Sequence, residues 1–304
     1  MWTFVARRLL ISTIVLVGAS IVVFFIVRLS GDPVALLLPM DASPEVQAEL
    51  RTRLGFDDPL LTQYAIFASN VVRGDFGESL RHRQPAIDLV LERLPATFEL
   101  AAAALLLASL VGIPLGILAA VRRGTIFEVV GMGVALVGQA VPGFWLGLML
   151  ILVVGVQWQL LPTFGRGGLS HLILPAITLS SYTAAILVRI LRSSMLEVLG
   201  ADYVRTAHAK GLRPRTVVLK HAFRNALIAL VTVLGLQFAT LMGGAVVTEA
   251  VFAWPGIGRL AVQAIYNRDY PVVQAVVLTV VAIFVLVNLI VDVLYARIDP
   301  RIKY

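Results

Sequence analysis

Hydrophobic residues occur along this chain in long uncharged runs. Five of these runs cover residues 9–27, 100–121, 169–188, 226–248 and 271–291. A helix of about 20 apolar residues is long enough to cross a bilayer, so each run predicts one transmembrane helix. The charged residues closest to the runs, such as Arg28 and Asp292, lie at their ends, where a side chain can reach the membrane surface.

A sixth uncharged run, residues 129–165, is too long for one straight span. As a helix it would extend for roughly 55 Å, against about 30 Å of hydrocarbon. Pro142 and Gly143 favour a kink inside it, and Pro162 favours a stop. We therefore expect one kinked span near residues 130–156, followed by an outer turn at 157–168.

The segment between the first two spans, residues 30–95, is polar enough to lie in water. Proline and glycine occur in it where short helices start and end. Pro44 and Gly55 bound one predicted helix, and Pro59 and Gly74 bound another. A third helix is expected to start at Pro85 and to lead into the second span. The segment is thus predicted to be a partly helical extracytoplasmic insert.

Basic residues predict which side of the membrane each loop faces. Short cytoplasmic loops carry an excess of lysine and arginine. With the N-terminus inside, the short outer loops hold only Arg166, Arg259 and Arg268. The inner segments then hold most of the basic residues: Arg7, Arg8, Arg122, Arg123, Arg189, Arg192, Arg205, Lys210, Arg213, Arg215, Lys220, Arg224, Arg297, Arg301 and Lys303. Six spans with both termini in the cytoplasm follow from this arrangement.

The overall composition supports a membrane protein. Of the 304 residues, 59% are hydrophobic and 14% charged, whereas soluble domains carry about 25% charged residues. The net charge of +7 is explained by the basic inner loops and does not require nucleic acid as a partner. The first run is too long for a signal-peptide core and lacks a cleavage site, so we interpret it as an uncleaved span.

Several kinds of chemistry have no support in the sequence. The chain lacks a P-loop and the G-x-S-x-G and H-E-x-x-H motifs. It has no cysteine, and its four scattered histidines do not suggest a metal site. No span carries a central carboxylate of the kind that ion-coupled transporters use. Energy for uphill transport would therefore have to come from outside this chain.

The predicted inner loop at residues 197–225 has more local structure signals than a simple connection needs. Asp202 is expected to cap a short helix that Gly211 ends, and Pro214 is expected to start the next helix. Ala207 and Ala209 would let the short helix enter a groove, with polar contacts from nearby basic residues. The alternative is a basic loop that only follows the charge rule and lies near anionic headgroups.

The sequence of this loop resembles that of a transporter family. "RTAHAKG", residues 205–211, resembles the E-A-A-x-x-x-G signature of permease subunits of ABC importers. Ala207 and Gly211 agree with the signature, whereas Arg205 and Thr206 replace its glutamate and first alanine. "DYVRTAHAKGL" and "HAFRNAL", with "ERLPATFELAAAALLLA" and "GGAVVTEAVFAWPGIGRL" elsewhere, are similar to the dipeptide/oligopeptide/nickel permeases.

This resemblance implies an all-α integral membrane protein with six transmembrane helices and the type I ABC importer permease architecture. It implies one permease domain, residues 1–304, with the insert at 30–95, a transmembrane bundle at 96–296 and a cytoplasmic coupling loop at 197–225. The chain would not be an enzyme. Its implied partners are a second permease subunit, two ABC ATPase subunits that hold ATP and Mg²⁺, a periplasmic or lipid-anchored solute-binding protein, and membrane lipid.

In such an assembly the short helix of the loop couples the ATPase to the pore. By position in the motif, the resemblance assigns this role to Asp202, Tyr203, Arg205, Thr206, Ala207, Lys210 and Gly211.

Three polar residues in or beside the spans are candidates for the pore. Gln139 and Gln237 would face the passage or form bonds between helices. Glu249 would cap an outer turn, pair with Arg259 or face the passage. The small-x-x-x-small patterns at residues 112–116 and 143–147 predict close helix packing.

The leading hypothesis is a pore-forming permease of an ATP-driven importer in the bacterial inner membrane, with di- or oligopeptides as cargo. Nickel chelates, glutathione and opine-like solutes are alternatives within the family. A self-sufficient secondary transporter or channel, and a membrane scaffold without transport, are hypotheses from other classes.

Overall fold

Helices form almost all of the regular structure in the computed structural model, which describes residues 2–29, 43–53 and 55–298. Within those ranges the α-helices, in chain order, are α1 (Trp2–Leu29), α2 (Pro44–Arg53), α3 (Leu60–Val72), α4 (Ala86–Val121), α5 (Ile126–Ala140), α6 (Gly143–Leu150), α7 (Leu169–Leu199), α8 (Asp202–Ala209), α9 (Pro214–Thr216), α10 (Phe223–Val251), α11 (Ile257–Tyr266) and α12 (Tyr270–Ile298). Two π-helical segments follow α6 and α9: π1 (Ile151–Gln157) and π2 (Val217–Ala222). The predicted features at residues 30–42 and beyond 298, including Arg301 and Lys303, lie outside the described residues.

Five of the predicted spans are confirmed as helices that are long and apolar enough to cross a membrane. They are Ala6–Leu29, Ala86–Val121, Leu169–Leu199, Ala229–Val251 and Tyr270–Val293. The third predicted helix of the insert is the first part of α4, which runs unbroken into the second span as predicted. The first two insert helices are confirmed as α2 and α3, and Gly55 and Gly74 follow them with positive φ.

The sixth span differs from the sequence prediction. Ile126–Ala140 and Gly143–Gln157 meet at 98°, which is a broken span or a re-entrant loop and not a kinked rod. The cause is local: Val141, restricted by the proline that follows it, has φ −79° and ψ 121°, and Pro142 itself has ψ 131°. Two consecutive extended residues end one helix and start another, so the chain turns sharply instead of bending.

The chain divides into two compact units. Among the described residues, the first comprises those up to 97 together with 255–285, and the second comprises 98–254 and those from 286 onward. The core of the first unit joins α1, the start of α4, α11 and α12, through buried residues such as Val23, Val27, Leu89, Ile257 and Val276.

A buried carboxylate fixes the end of the first unit at which the loop before α4 meets the turn between α11 and α12. Asp269 is 2% exposed and accepts hydrogen bonds from the Ser79 hydroxyl at 2.5 Å and the Leu80 amide at 3.1 Å. The Arg81 amide lies 3.4 Å from the same carboxylate. A buried charge is tolerated only when hydrogen bonds satisfy it, so these contacts hold the loop before α4 against the turn between α11 and α12.

In the second unit, α7 packs against α4, α5, α6 and α10, with glycine at several of the close contacts. A Cβ atom added to Gly112 would lie 2.9 Å from Leu187 Cβ, and one added to Gly138 would lie 2.9 Å from the Ser181 carbonyl oxygen. Close packing is therefore confirmed for the pattern at 112–116. At 143–147 it is confirmed for Gly147, which lies against Phe252, and is wrong for Gly143, which faces open space.

Two glycines of α5 offer a matched test of this packing. We expect Gly138→Ala to destabilise the protein by about 1–3 kcal/mol, because the added methyl group collides with the backbone of α7. Gly133 has open space around it, so Gly133→Ala should be neutral or stabilising by about 0.5–1 kcal/mol through helix propensity. Thermal unfolding of both purified variants measures the difference, and equal midpoints would contradict the packing account.

Candidate functional site: the loop between α7 and α10

The predicted inner loop lies between two helical stems, the end of α7 and the start of α10, which pack against each other. α7 continues past its apolar part to Leu199 without a break. Leu191 and Met195 on this extension are almost fully buried and share a core cluster with Ala222 and Ala226, where α10 begins. The loop therefore projects from a packed base.

If Asp202 were the N-cap, the short helix of the loop would begin at Tyr203. The helix α8 instead begins at Asp202 itself. Ala201 has the extended N-cap conformation, with φ −74° and ψ 149°, and no side chain caps the helix. Asp202 is the first helical residue, and its carboxylate lies 3.5 Å from the Arg205 guanidinium. The predicted side-chain cap is therefore wrong. The carboxylate still stabilises the helix through its position in the first turn, where the helix dipole favours negative charge.

The other end of α8 has the predicted glycine stop. Gly211 has φ +74°, which is the left-handed conformation that glycine adopts without steric cost. Its amide donates to the His208 carbonyl at 2.9 Å, and the Leu212 amide donates to the Ala207 carbonyl at 3.4 Å. This pair of bonds is a Schellman motif, which satisfies the last carbonyl groups of a helix.

Pro214 restarts the helix as predicted, at the first position of α9. The segment π2 that follows was not predicted, and it joins α9 directly to α10. Proline is favoured at a helix start because its missing amide hydrogen would have no partner there. The chain between Pro214 and Val251 is thus helical throughout.

The inner face of α8 packs on its own chain. Val204 and Ala207 are 1% and 6% exposed and form a cluster with Val217, at the start of π2. The expectation that Ala207 enters a groove on another molecule is therefore wrong: spacing of three residues places it beside Val204 on the buried face. Ala209 is exposed and keeps the small surface that such a groove would need.

The outer face of α8 is exposed and carries most of the predicted coupling residues. Asp202, Arg205, Thr206 and Lys210 all lie on it. The Arg205 and Asp202 side chains are 78% and 97% exposed, and a pair so exposed adds little to stability. Nothing in the described part of the chain covers this face, so its polar groups are available to another molecule.

Tyr203 ties α8 to the second stem. Its hydroxyl oxygen accepts a hydrogen bond at 2.9 Å from the side-chain amide of Asn225, which also donates to the His221 carbonyl at 2.8 Å. The sequence interpretation missed Asn225. The sequence held no strong signal for this contact, because Tyr203 is exposed and water can bond to its hydroxyl group as well as Asn225 does.

A second missed residue is Glu128, at the start of α5. Its carboxylate accepts hydrogen bonds from the Arg192 guanidinium, with Nε at 3.0 Å, and from the Gly124 amide at 2.6 Å. Both side chains of the ion pair are largely buried. The pair therefore connects the α4–α5 turn to the extension of α7 that carries the loop.

The three pore candidates lie apart from this loop. Gln139 is half-buried next to the break between α5 and α6, and Gln237 is half-buried in the middle of α10. Glu249 exposes none of its surface, so lining a passage would require a conformation in which it is uncovered. The pore-facing role of all three residues stays a prediction.

Gly211 provides a backbone test of the loop. A Cβ atom there would meet no neighbour within 4 Å, so a substitution acts only through φ. We expect Gly211→Val to weaken the end of α8 by about 1–2 kcal/mol, which corresponds to roughly 5–30-fold faster hydrogen exchange of the α8 amides. Gly211→Asn is the control, because asparagine tolerates this conformation. Equal exchange in the two variants would contradict a role for the positive φ.

Comparison with known families matches the chain over nearly its whole length. Residues 112–304 match the family described as "Binding-protein-dependent transport system inner membrane component". Residues 1–101 match the corresponding N-terminal family of such membrane components.

Full-length relatives support the same assignment. The chain is 42% identical to the dipeptide transport system permease protein DppB of Escherichia coli K12, with 100% of this chain and 99% of the relative covered. A di/tripeptide permease of Pseudomonas aeruginosa has the same identity and coverage. The glutathione transport system permease protein GsiC of Salmonella choleraesuis is 44% identical, with both chains fully covered.

Solved structures support the fold. An inward-facing structure of the MetNI methionine ABC transporter aligns with a TM-score of 0.61 at 20% identity, covering 69% of this chain and 96% of that one. The described residues thus have the fold of a type I ABC importer permease. The chain is a multi-pass protein of the bacterial inner membrane, and it belongs to the family of inner-membrane components of binding-protein-dependent transport systems.

Proposed function

We propose that this chain is the pore-forming permease subunit of an ATP-driven importer that moves short peptides across the bacterial inner membrane. The observation that carries the proposal is the two-faced helix α8. Its inner face is packed on Val217, and its outer face is polar and exposed. A helix that is packed on one side and exposed on the other can be displaced by a docked subunit and can transmit that displacement to α7 and α10.

The proposed assembly contains a second permease subunit, two ATPase subunits and a solute-binding protein. ATP and Mg²⁺ belong to the ATPase subunits, which dock on the loop at residues 197–225 from the cytoplasm. Asp202, Arg205, Thr206 and Lys210 form the contact surface, while Tyr203, Ala207 and Gly211 hold α8 in place. In this arrangement both termini are cytoplasmic, residues 96–296 form the bundle and the insert at 30–95 faces the binding protein.

The relatives favour short peptides as the cargo. The names of the three full-length relatives refer to dipeptides, to di- and tripeptides and to glutathione. Glutathione is itself a tripeptide, so the shared chemistry is a zwitterionic solute of two or three residues with at least one amide bond.

Glutathione is the second candidate cargo, and chain length favours it. The match to the glutathione permease spans 306 residues, close to the 304 residues of this chain. The match to the dipeptide permease spans 337 residues, so at least 33 aligned positions of that relative have no counterpart here.

Charge reversal on the outer face of α8 tests the coupling role. We expect Arg205→Glu to reduce co-purification with the ATPase subunits by about tenfold or more, because a charged interface contact becomes repulsive. The matched control is Arg73→Glu, the same change on the predicted outer side. Unchanged binding and unchanged peptide-stimulated ATP hydrolysis in the Arg205 variant would contradict docking on this face.

Reconstitution tests the cargo. We expect proteoliposomes containing the complete assembly to accumulate a labelled dipeptide or labelled glutathione only with ATP and the binding protein present. Competition between the two solutes then decides between the peptide and glutathione candidates. Uptake by this chain alone without ATP would overturn the proposal in favour of a secondary transporter or channel.

A further inference from the structure

An apolar groove runs along the surface between α1 and α12, in the first unit. Its volume is about 470 Å³, within the range of about 300–1,000 Å³ found for small-molecule sites. Apart from Arg268 at one end, the walls are almost entirely aliphatic, with Val22 and Ile26 on α1 and Val273, Val277 and Val281 on α12.

The length of the groove matches one leaflet of a membrane. On α12 it extends from Tyr270 to Val281, a rise of roughly 16 Å in an α-helix. The hydrocarbon core is about 30 Å thick, so a groove of this length that starts at a membrane surface ends near the midplane. A transmembrane helix of a partner would need a groove across both leaflets, whereas a single acyl chain needs only one.

A cation lies at the end of the groove beside the start of α12. Arg268 is exposed and immediately precedes the turn that starts α12, with φ +50°. The adjacent carboxylate, Asp269, is buried and accepts the hydrogen bonds from the Ser79 hydroxyl and the Leu80 amide. Those contacts fix the turn, and α12 begins two residues after Arg268, so Arg268 lies at the end of this predicted span.

We infer that this groove is a phospholipid site, in which one acyl chain fills the space between α1 and α12 and the phosphate contacts Arg268. Guanidinium binds phosphate through two parallel hydrogen bonds. Tyr270, which is largely buried, lines the same end of the groove. The site depends only on α1 and α12 crossing the membrane and is independent of the proposed cargo.

Native mass spectrometry of the detergent-purified full chain with added phosphatidylglycerol tests the site. We expect one tightly retained lipid on the native chain and about tenfold weaker retention on Arg268→Gln, as expected for the loss of a charged hydrogen-bonded contact. Arg73→Gln, which removes an exposed arginine outside the groove, should retain the lipid. Equal retention in the two variants, or no retained lipid on the native chain, would overturn the inference.

A crosslinking experiment identifies the occupant directly. The chain contains no cysteine, so Val277→Cys provides one attachment point for a benzophenone probe inside the groove. In membranes containing the complete assembly, we expect photo-crosslinking to yield this chain with the added mass of a phospholipid. A crosslink to a second permease subunit would show that a protein surface fills the groove and would overturn the inference.

Discussion

Hydrocarbon offers no hydrogen-bond partner to the peptide backbone, and this constraint shapes the whole molecule. Each crossing must be a helix that satisfies its own amide and carbonyl groups. Where the chain breaks between α5 and α6, the interruption is confined to Val141 and Pro142, and the Leu146 amide resumes the bonding at once by donating to the Pro142 carbonyl at 3.0 Å. Proline has no amide hydrogen to leave unpaired, so the break has one unpaired donor fewer than it would have with another residue at this position.

Packing between the crossings then relies on shape, since lipid weakens any hydrophobic force between helices. Glycine lets α4 and α5 approach the backbone of α7 closely, at Gly112 and Gly138. At the loop end of α7 the Glu128–Arg192 ion pair adds a polar contact to the same neighbour. Close contacts of this kind resist compression, so the contacts of α7 with α4 and α5 give a stiff base to the loop that α7 carries.

The sequence predicted most of this architecture because its strongest signals are local. Apolar length defined five spans, and proline and glycine defined α2, α3, the C-terminal end of α8 and the start of α9. The 98° break was underestimated, because the angle depends on both Val141 and Pro142 being extended, whereas the sequence only indicated that the helix is interrupted. The Asn225 and Glu128 contacts were missed because their partners lie 22 and 64 residues away. The inward orientation of Ala207 was missed because a helix of eight residues shows too little periodicity to identify its buried face.

The buried face of α8 also explains how the loop departs from the signature it resembles. The two positions that agree, Ala207 and Gly211, are those at which the fold itself restricts the residue. Ala207 is enclosed beside Val204 and Val217, where a small side chain is needed, and Gly211 has a φ that other residues rarely adopt. The two positions that differ, Arg205 and Thr206, are exposed, so no residue in the described part of the chain encloses them. The matching residues thus maintain the shape of the helix, and the differing residues determine the surface that a partner must fit. On this reasoning an ATPase subunit that docks here has to complement an arginine where the signature has a glutamate.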